Sequence, residues 1–450
     1  MRAFGMVRSF ADLLLRAYFR QISVVGLELV PKSGPLVFAA NHPNALIDPL
    51  VVLTSAPRNI RFAAKDTLFA ALWLKPFLHA LDAIPIRRRQ DHGGQAVDNA
   101  AAFEALHAAL HAGQCIGIFP EGISHDQSML VRLKTGTARI VLRAAAEKPE
   151  LPVAIVPCGL VYLSQTRFRS RVLVQFGAPI EIDAQILELH ARAPNDAVTA
   201  LTAHLDRALR ELLVNADDWE TIRMLDTVRR FFQPAKLPLE RRVEVARRFS
   251  QIYATLQDHP EVQVLRQRVT HYQARLRELG LRDADLADAA TLTQTLAKAA
   301  RQSALFVVWT IAGLPGAVMH APMLMFAKGA ERWLAKGHGD MRATIKVVAA
   351  MVATLVLDLM FLAWIVWYVG WWPMIATLVV LPFLGIATLN LLDRQLHFRR
   401  LWQSIVRIAA HRRGVYELRA ERVALQEAIA QCVLREIPEA GSALAPIHAP

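Results

Sequence analysis

Leu36-Val-Phe-Ala-Ala-Asn-His-Pro-Asn-Ala-Leu-Ile-Asp48 places a histidine and a carboxylate on either side of a short turn that follows an apolar run. Leu36 to Ala40 reads as a buried strand, because the run follows the turn signal Lys32-Ser-Gly34. Pro43 disfavours the αR region at His42, so the histidine sits extended at the strand's exit rather than inside a helix. On an ideal helix Asp48 would point about 120° away from His42, so a turn is needed to bring the two together. Once together, Asp48 accepts a hydrogen bond from one ring nitrogen and leaves the other as a base toward a substrate hydroxyl. Taken alone, the two residues more ordinarily read as a surface-loop histidine and a helix-capping aspartate. The rest of the chain reverses that reading.

From Val24 to about Gln185, short apolar runs (Leu36 to Ala40, Ala83 to Ile86, Cys115 to Phe119, Ala154 to Leu163, Val172 to Phe176) alternate with helical patterns at Ala96 to His111 and Gly136 to Lys148. Such alternation predicts an α/β fold with a central sheet covered by helices. Active groups in such sheets gather where strands hand over to loops. His42 holds one of those positions. A second is Ile86-Arg-Arg-Arg89, where clustered cations ask for an anion and arginine suits bidentate phosphate binding, unless the loop is simply a solvated basic one. The third is Cys115-Ile-Gly-Ile-Phe-Pro-Glu-Gly-Ile-Ser124. There Gly122 permits positive φ and close approach of a ligand, and Glu121 either bonds a substrate hydroxyl or orients a neighbouring group. Ser124 has no Gly-x-Ser-x-Gly elbow and reads as a cap of the next element rather than as a nucleophile. Lys134 and Arg139 flank Gly136 at a helix start, where backbone N–H groups and two cations can hold an anion. Ile155-Val-Pro157 is an apolar strand carrying a proline, which suggests an edge or a bulge.

With 54% hydrophobic residues in 450, the chain is rich in apolar residues for a soluble protein, and 52 Lys+Arg against 39 Asp+Glu leave a formal charge of +13. So basic a protein is drawn to nucleic acid or to anionic lipid headgroups, and the long apolar segments favour lipid. No nucleic-acid motif is present. Cys115, Cys158 and Cys432 are scattered, which fits a reduced compartment and no metal-ligand set. Met1 to Gln21 reads as an amphipathic helix with a basic face, lying in a membrane interface or docking on the domain. Residues 23–215 form the α/β domain and 216–302 a charged helical region. A membrane region follows at 303–392, with spans at 347–369 and 371–389, and 303–326 as a re-entrant hairpin bent at Pro315-Gly316. That hairpin keeps Arg301, Lys328, Lys346 and Arg394 on one side, as the positive-inside tendency asks. Asp358, inside an apolar span, calls for a polar partner. Residues 393–450 read as a cytosolic surface helix and a tail.

The ordered blocks Asn41-His42-x5-Asp48, Ile84-Pro-Ile-x-Arg88, Phe119-Pro-Glu-Gly-x-Ser124 and Ile155-Val-Pro157 resemble those of the glycerolipid acyltransferase family. The family's usual spacing is His-x4-Asp; the extra residue here resembles its glycerol-3-phosphate and dihydroxyacetone-phosphate acyltransferase branch, as does Asp340-Met-Arg-Ala-Thr-Ile-Lys346. The resemblance implies the family's α/β fold, with His42 as general base and Asp48 as its orienting partner. It further implies that Arg88, assisted by Arg87, binds the phosphate and that Glu121 and Gly122 form the acceptor-binding turn; with Asn41, Ser124, Lys134 and Arg139 these make up the candidate acceptor site. The expected donor is acyl-CoA or an acyl carrier protein thioester, with no cofactor or metal, a small phosphorylated acceptor and membrane lipids as partners. The catalytic domain is expected on the cytoplasmic face. A lysophosphatidic acid acyltransferase and a catalytically silent lipid-binding scaffold remain the alternatives.

Overall fold

The computed structural model describes residues 2–72, 74–88, 91, 93, 97–232, 238–287, 292–335 and 339–436. They form two compact units, Met1–Asn215 with Gly337–Thr344, and Ala216–Lys336 with Ile345–Pro450.

The first unit is built on eight strands: β1 (Gln21–Val25), β2 (Leu36–Ala40), β3 (Ile60–Lys65), β4 (Ile84–Ile86), β5 (Cys115–Ile118), β6 (Ala154–Tyr162), β7 (Arg171–Phe176) and β8 (Ile180–Glu181). Their order is β1-β7-β6-β2-β5-β3-β4, with β8 beside β6. β6, β2, β5, β3 and β4 run parallel, whereas β7 and β8 are antiparallel to β6. Every residue of β2 is buried, as expected of a continuous apolar run covered on both faces. Because β2, β5 and β4 are all parallel, their C-terminal ends lie at one edge of the sheet. That edge receives the segments that follow, beginning at Asn41, Phe119 and Arg87.

Helices Ala100–His111, Gly136–Glu147 and Pro194–Leu212 cover the sheet, and the last buries Val198, Leu201, Leu205 and Leu209 at helical spacing. The N-terminal helix Arg2–Tyr18 buries Phe4, Ala11, Leu15 and Tyr18, and Arg8 donates to the Ala56 carbonyl at 2.7 Å. It is therefore docked on the unit, while Met6 and Leu13 on its other side are both 67% exposed. Of the edge or bulge expected at Pro157, the edge is excluded, since β6 lies inside the sheet. The Pro157 carbonyl accepts from Gly177 N, and a strand residue's N and O point the same way. The missing N–H thus falls in the gap between β8, which pairs with Ala154 and Ile155, and β7, which pairs from Cys158 onward.

In the second unit the C-terminal helix Arg412–Glu436 is a core element and not the surface helix expected from sequence. Its Leu418, Leu425 and Cys432 share one apolar cluster with Leu225, Phe232 and Tyr272 of helices Trp219–Phe232 and Pro260–Glu278. One charge pair beside this cluster is buried, that of Asp283 with Arg422. Asp283 accepts from the Tyr272 hydroxyl at 2.8 Å and from Arg422 Nε at 2.9 Å.

Three helices, Leu296–Leu334, Arg342–Tyr368 and Trp371–Ala410, are long and apolar enough to cross a membrane. The hairpin expected at 303–326 does not form: one helix, Leu292–Leu334, continues through Pro315 and Pro322. A reversal in hydrocarbon would leave backbone N–H and C=O groups unpaired, whereas helix continuation keeps most of them bonded. Gly313 and Gly316 pack against Ala387, Thr388 and Leu384, the small-residue contact that lets membrane helices approach closely. Asp358 has a polar partner in His320, Nε2 to Oδ1 3.4 Å. His320 Nδ1 donates to the Gly316 carbonyl at 2.8 Å, which fixes the ring with Nε2 toward Asp358.

Asp283→Ala would leave the Arg422 guanidinium buried without its carboxylate, a loss of about 3–5 kcal/mol. The detergent-solubilised variant should unfold at lower temperature, with faster hydrogen exchange in Pro260–Glu278 and Arg412–Glu436.

Candidate active site

The chain leaves β2 through Asn41, whose side chain replaces the backbone pairing that ends there. Asn41 Nδ2 donates to the Leu160 carbonyl at 3.1 Å, and Leu160 N donates to Asn41 Oδ1 at 2.7 Å. Asn41 is thus tied into the sheet rather than offered to substrate, which corrects its placement among the acceptor-binding residues. The turn Pro43 to Leu46 then carries the chain into helix Ile47–Ser55, with Ala45 at φ +37°. A non-glycine residue there is strained, and the turn is where the sixth step from His42 to Asp48 is accommodated.

His42 Nδ1 lies 2.9 Å from Asp48 Oδ2, and the Asp48 side chain is wholly buried. An ionised carboxylate only accepts, so Nδ1 carries the proton and Nε2 is left as the base. Two further donors meet Asp48: Asn44 N at 2.6 Å to Oδ2 and the Tyr162 hydroxyl at 2.6 Å to Oδ1. Burial pushes the Asp48 carboxyl above its ordinary range, and the bonds from His42, Tyr162 and Asn44 oppose that shift. Burial pushes the Tyr162 phenol well up too, helped by the Asp48 charge, so Tyr162 remains a donor. The His42 ring stacks on Phe119, centroids 4.0 Å apart, and Phe119 stacks in turn on Phe62 at 5.9 Å. Gly117 makes room for this stack, since a Cβ there would overlap the Phe62 ring.

Glu121 is as deeply buried as Asp48, and its oxygens are spent on the protein. Oε1 accepts from His42 N at 2.7 Å, and Oε2 accepts from Val131 N at 3.1 Å and bonds His125 Nε2. His125 N returns a bond to the His42 carbonyl at 3.1 Å. Of the two roles open from sequence, this geometry gives Glu121 that of orienting a neighbour: it clamps the His42 backbone.

The cations divide. Arg88 Nη1 donates to the Gly122 carbonyl at 3.3 Å. Lys134 lies over the same glycine, its Nζ 2.5 Å from where a Cβ would sit, and Gly122 adopts φ +71°. Arg88, Lys134 and Gly122 therefore converge, as an anion site requires. Arg87 does not join them: it points to Asp66, 3.8 Å away, as strand alternation from Arg88 dictates. Nor does Arg139, which is exposed and reaches back to Thr135. Ser124 is half-buried and engaged within the protein, and Arg89 lies outside the described residues.

Sequence reasoning missed Tyr162, His125 and Phe119. Phe119 was legible as the residue before Pro-Glu-Gly. Tyr162 closes an apolar run and gives no signal beyond being the polar-tipped end of its strand.

Residues 21–161 match the family described as Acyltransferase, and residues 224–440 match the Glycerol-3-phosphate acyltransferase 2 C-terminal domain. Glycerol-3-phosphate O-acyltransferase 2 of Saccharomyces cerevisiae is 31% identical over 319 residues, which are 68% of this chain and 40% of that protein. Glycerol-3-phosphate O-acyltransferase 1 of the same yeast is 34% identical over 239 residues, 52% of this chain and 31% of that protein. The chain thus spans less than half the length of either relative. A solved 1-acyl-sn-glycerophosphate acyltransferase, PlsC of Thermotoga maritima, shares 16% identity at a TM-score of 0.32, covering 44% of this chain and 80% of that one. A histidine–aspartate pair and a Phe-Pro-Glu-Gly turn at one sheet edge, inside the first matched segment, define the acyltransferase class. The chain thus carries an acyltransferase domain, and its matched segments and yeast relatives make it similar to glycerolipid acyltransferases of the glycerol-3-phosphate branch.

Because the folded-state pKa of Asp48 is raised, the folded protein binds its proton more tightly than the unfolded chain does. Stability from this group is present below the unfolded value and lost as pH rises through the raised one. Asp48→Asn should therefore hold or raise the unfolding temperature at neutral pH. It should also lower turnover by about 10²- to 10⁴-fold: the Asn44 N–H keeps the amide oxygen facing Nδ1, but a neutral amide no longer stabilises the imidazolium that forms at His42. Tyr162→Phe removes a donor that holds the Asp48 carboxyl down, so the acidic limb of the pH–rate profile, where the pair takes up a proton, should move to higher pH.

Proposed function

We propose that the protein transfers a fatty acyl chain from an acyl thioester, acyl-CoA or acyl carrier protein, to the hydroxyl of glycerol 3-phosphate or dihydroxyacetone phosphate. The observation that carries this reading is the His42–Asp48 contact of 2.9 Å, which leaves Nε2 without a protein partner among the described residues. Nε2 takes the hydroxyl proton as that oxygen attacks the thioester carbonyl, and the thiolate leaves from the tetrahedral intermediate. The imidazolium formed is stabilised by Asp48, and the Phe119 stack holds the ring plane. A thiolate is a good leaving group, so neither a covalent acyl-enzyme nor a metal is called for. Arg88 and Lys134 hold the acceptor phosphate, and Gly122 lets it approach the backbone.

The names of the yeast relatives support glycerol 3-phosphate as acceptor. The three apolar helices and the +13 charge support a membrane protein whose partners are anionic lipids. We place the acyltransferase unit on the cytoplasmic side, where charged thioesters and phosphorylated acceptors are supplied.

Detergent-purified protein, given labelled palmitoyl-CoA with glycerol 3-phosphate, dihydroxyacetone phosphate or lysophosphatidic acid, tests the proposal. Turnover with one of the first two, reduced by about 10³-fold or more in His42→Ala, is expected. Preference for lysophosphatidic acid would reassign the acceptor. Full activity in His42→Ala would remove the histidine from the chemistry.

A further inference from the structure

Arg88 is already occupied. Its Nε donates to Asp91 Oδ2 at 2.7 Å and its Nη2 to Asp91 Oδ1 at 3.2 Å, a side-on fork, while Nη1 holds the Gly122 carbonyl at 3.3 Å. Every guanidinium nitrogen therefore bonds an acceptor from the chain itself. The two side chains are 26% and 20% exposed, so a ligand entering from solvent can reach both. Two carboxylate oxygens on a guanidinium edge reproduce the geometry of two phosphate oxygens. Asp91 thus sits in the place that a bidentate phosphate would take.

We propose that Asp91 is the specificity-determining residue of the anion subsite: its carboxylate holds the Arg88 edge until a phosphate monoester displaces it. This rests on reading the chain as an acyltransferase with a phosphorylated acceptor. A phosphate that used only the remaining Arg88 N–H groups would lie beside the Asp91 carboxylate, against a pair of zero net charge, with Lys134 as the attracting cation among the described residues. Displacement instead gives the ligand both Arg88 and Lys134. A monoanion that displaces Asp91 exchanges one single charge for another and gains little. A phosphate monoester, with a second ionisation near about pH 6, brings nearly two charges at neutral pH and gains from both cations. The internal carboxylate thus raises the threshold for entry and selects by charge as well as shape. Asp91 lies three residues after Arg88 on the same loop, so its release needs no rearrangement of the sheet. The other nearby carboxylate, Asp66, faces Arg87 and does not compete for this edge.

The test compares wild type and Asp91→Asn, as full-length protein in detergent, with labelled palmitoyl-CoA and either glycerol 3-phosphate or its isosteric monoanion glycerol 3-sulfate. The amide keeps the side chain's size and removes the competing charge. Asp91→Asn should lower KM for glycerol 3-phosphate roughly three- to tenfold, the effect of removing one partly exposed competing pair, and the change should fall on KM rather than kcat. The preference for phosphate over sulfate should narrow. An unchanged or raised KM, or an unchanged preference, would overturn the proposal and make Asp91 a positioning residue or a bystander. If wild type turned over no phosphorylated acceptor, the acyltransferase reading itself would fail. Calorimetric titration with inorganic phosphate would still decide on Asp91: tighter binding in the variant supports the competitor, and equal or weaker binding overturns it.

Discussion

Putting an ionised carboxylate where no water reaches it is the constraint on which the acyltransferase unit depends. An isolated carboxylate in such surroundings would take up a proton and cease to serve a base. Asp48 avoids this by accepting from three donors that come from three parts of the chain: His42 at the exit of β2, Asn44 in the turn, and Tyr162 at the end of β6. β2 and β6 must therefore be neighbours in the register that sets Ala40 beside Cys158, or the phenol does not reach. Asn41, bonded both ways to Leu160, extends that register beyond the strand.

Glu121 applies the same logic from the opposite side of His42. A second wholly buried carboxylate holds the histidine's backbone N–H, while His125 N holds its carbonyl, so main chain and ring are each fixed by a carboxylate of different origin. Two such clamps over-determine the turn, and that is the condition under which Ala45 at φ +37° is tolerated. The strain at Ala45 and the burial of Asp48 both oppose folding. Both are located where they keep an imidazole aimed, the usual site of a conflict between stability and activity.

The sequence was most legible where polar chemistry ends an apolar run. His42, Arg88 and Glu121 stand at strand exits, and parallel pairing brings such exits to one edge. It was least legible where a role depends on what lies across space. Tyr162 is 114 residues from Asp48, and nothing local marks it. Charge alone over-counted the anion site: Arg87 and Arg139 have the right side chains, but strand alternation turns one away and the helix surface exposes the other. Asn41 was placed among the ligand groups and Glu121 was open between ligand and orienting roles, because polar residues beside a site invite both readings; in the fold both are consumed in building it. In the second unit, loop charges favoured a hairpin at 303–326, but the backbone's need for hydrogen bonds prevailed and the helix runs on. The C-terminal helix showed charge periodicity suited to a surface, and only its partners reveal Leu418 and Leu425 as core.

The two halves of the site are built to different standards of fixity. Every polar atom of His42 except the reacting Nε2 has a committed partner, and the ring is flanked by an aromatic stack. Proton transfer requires that, because a base displaced by an ångström no longer shares the hydroxyl proton at attack. Around Gly122 the groups are long, partly exposed side chains, Arg88 and Lys134, resting on a backbone turn and on a neighbouring carboxylate. Such contacts are weak enough to be exchanged for a ligand's. Chemistry held rigid and recognition left exchangeable is what transfer from a thioester to a small charged acceptor asks of a single sheet edge: the acceptor must enter and leave at every turnover, and the base must not move when it does.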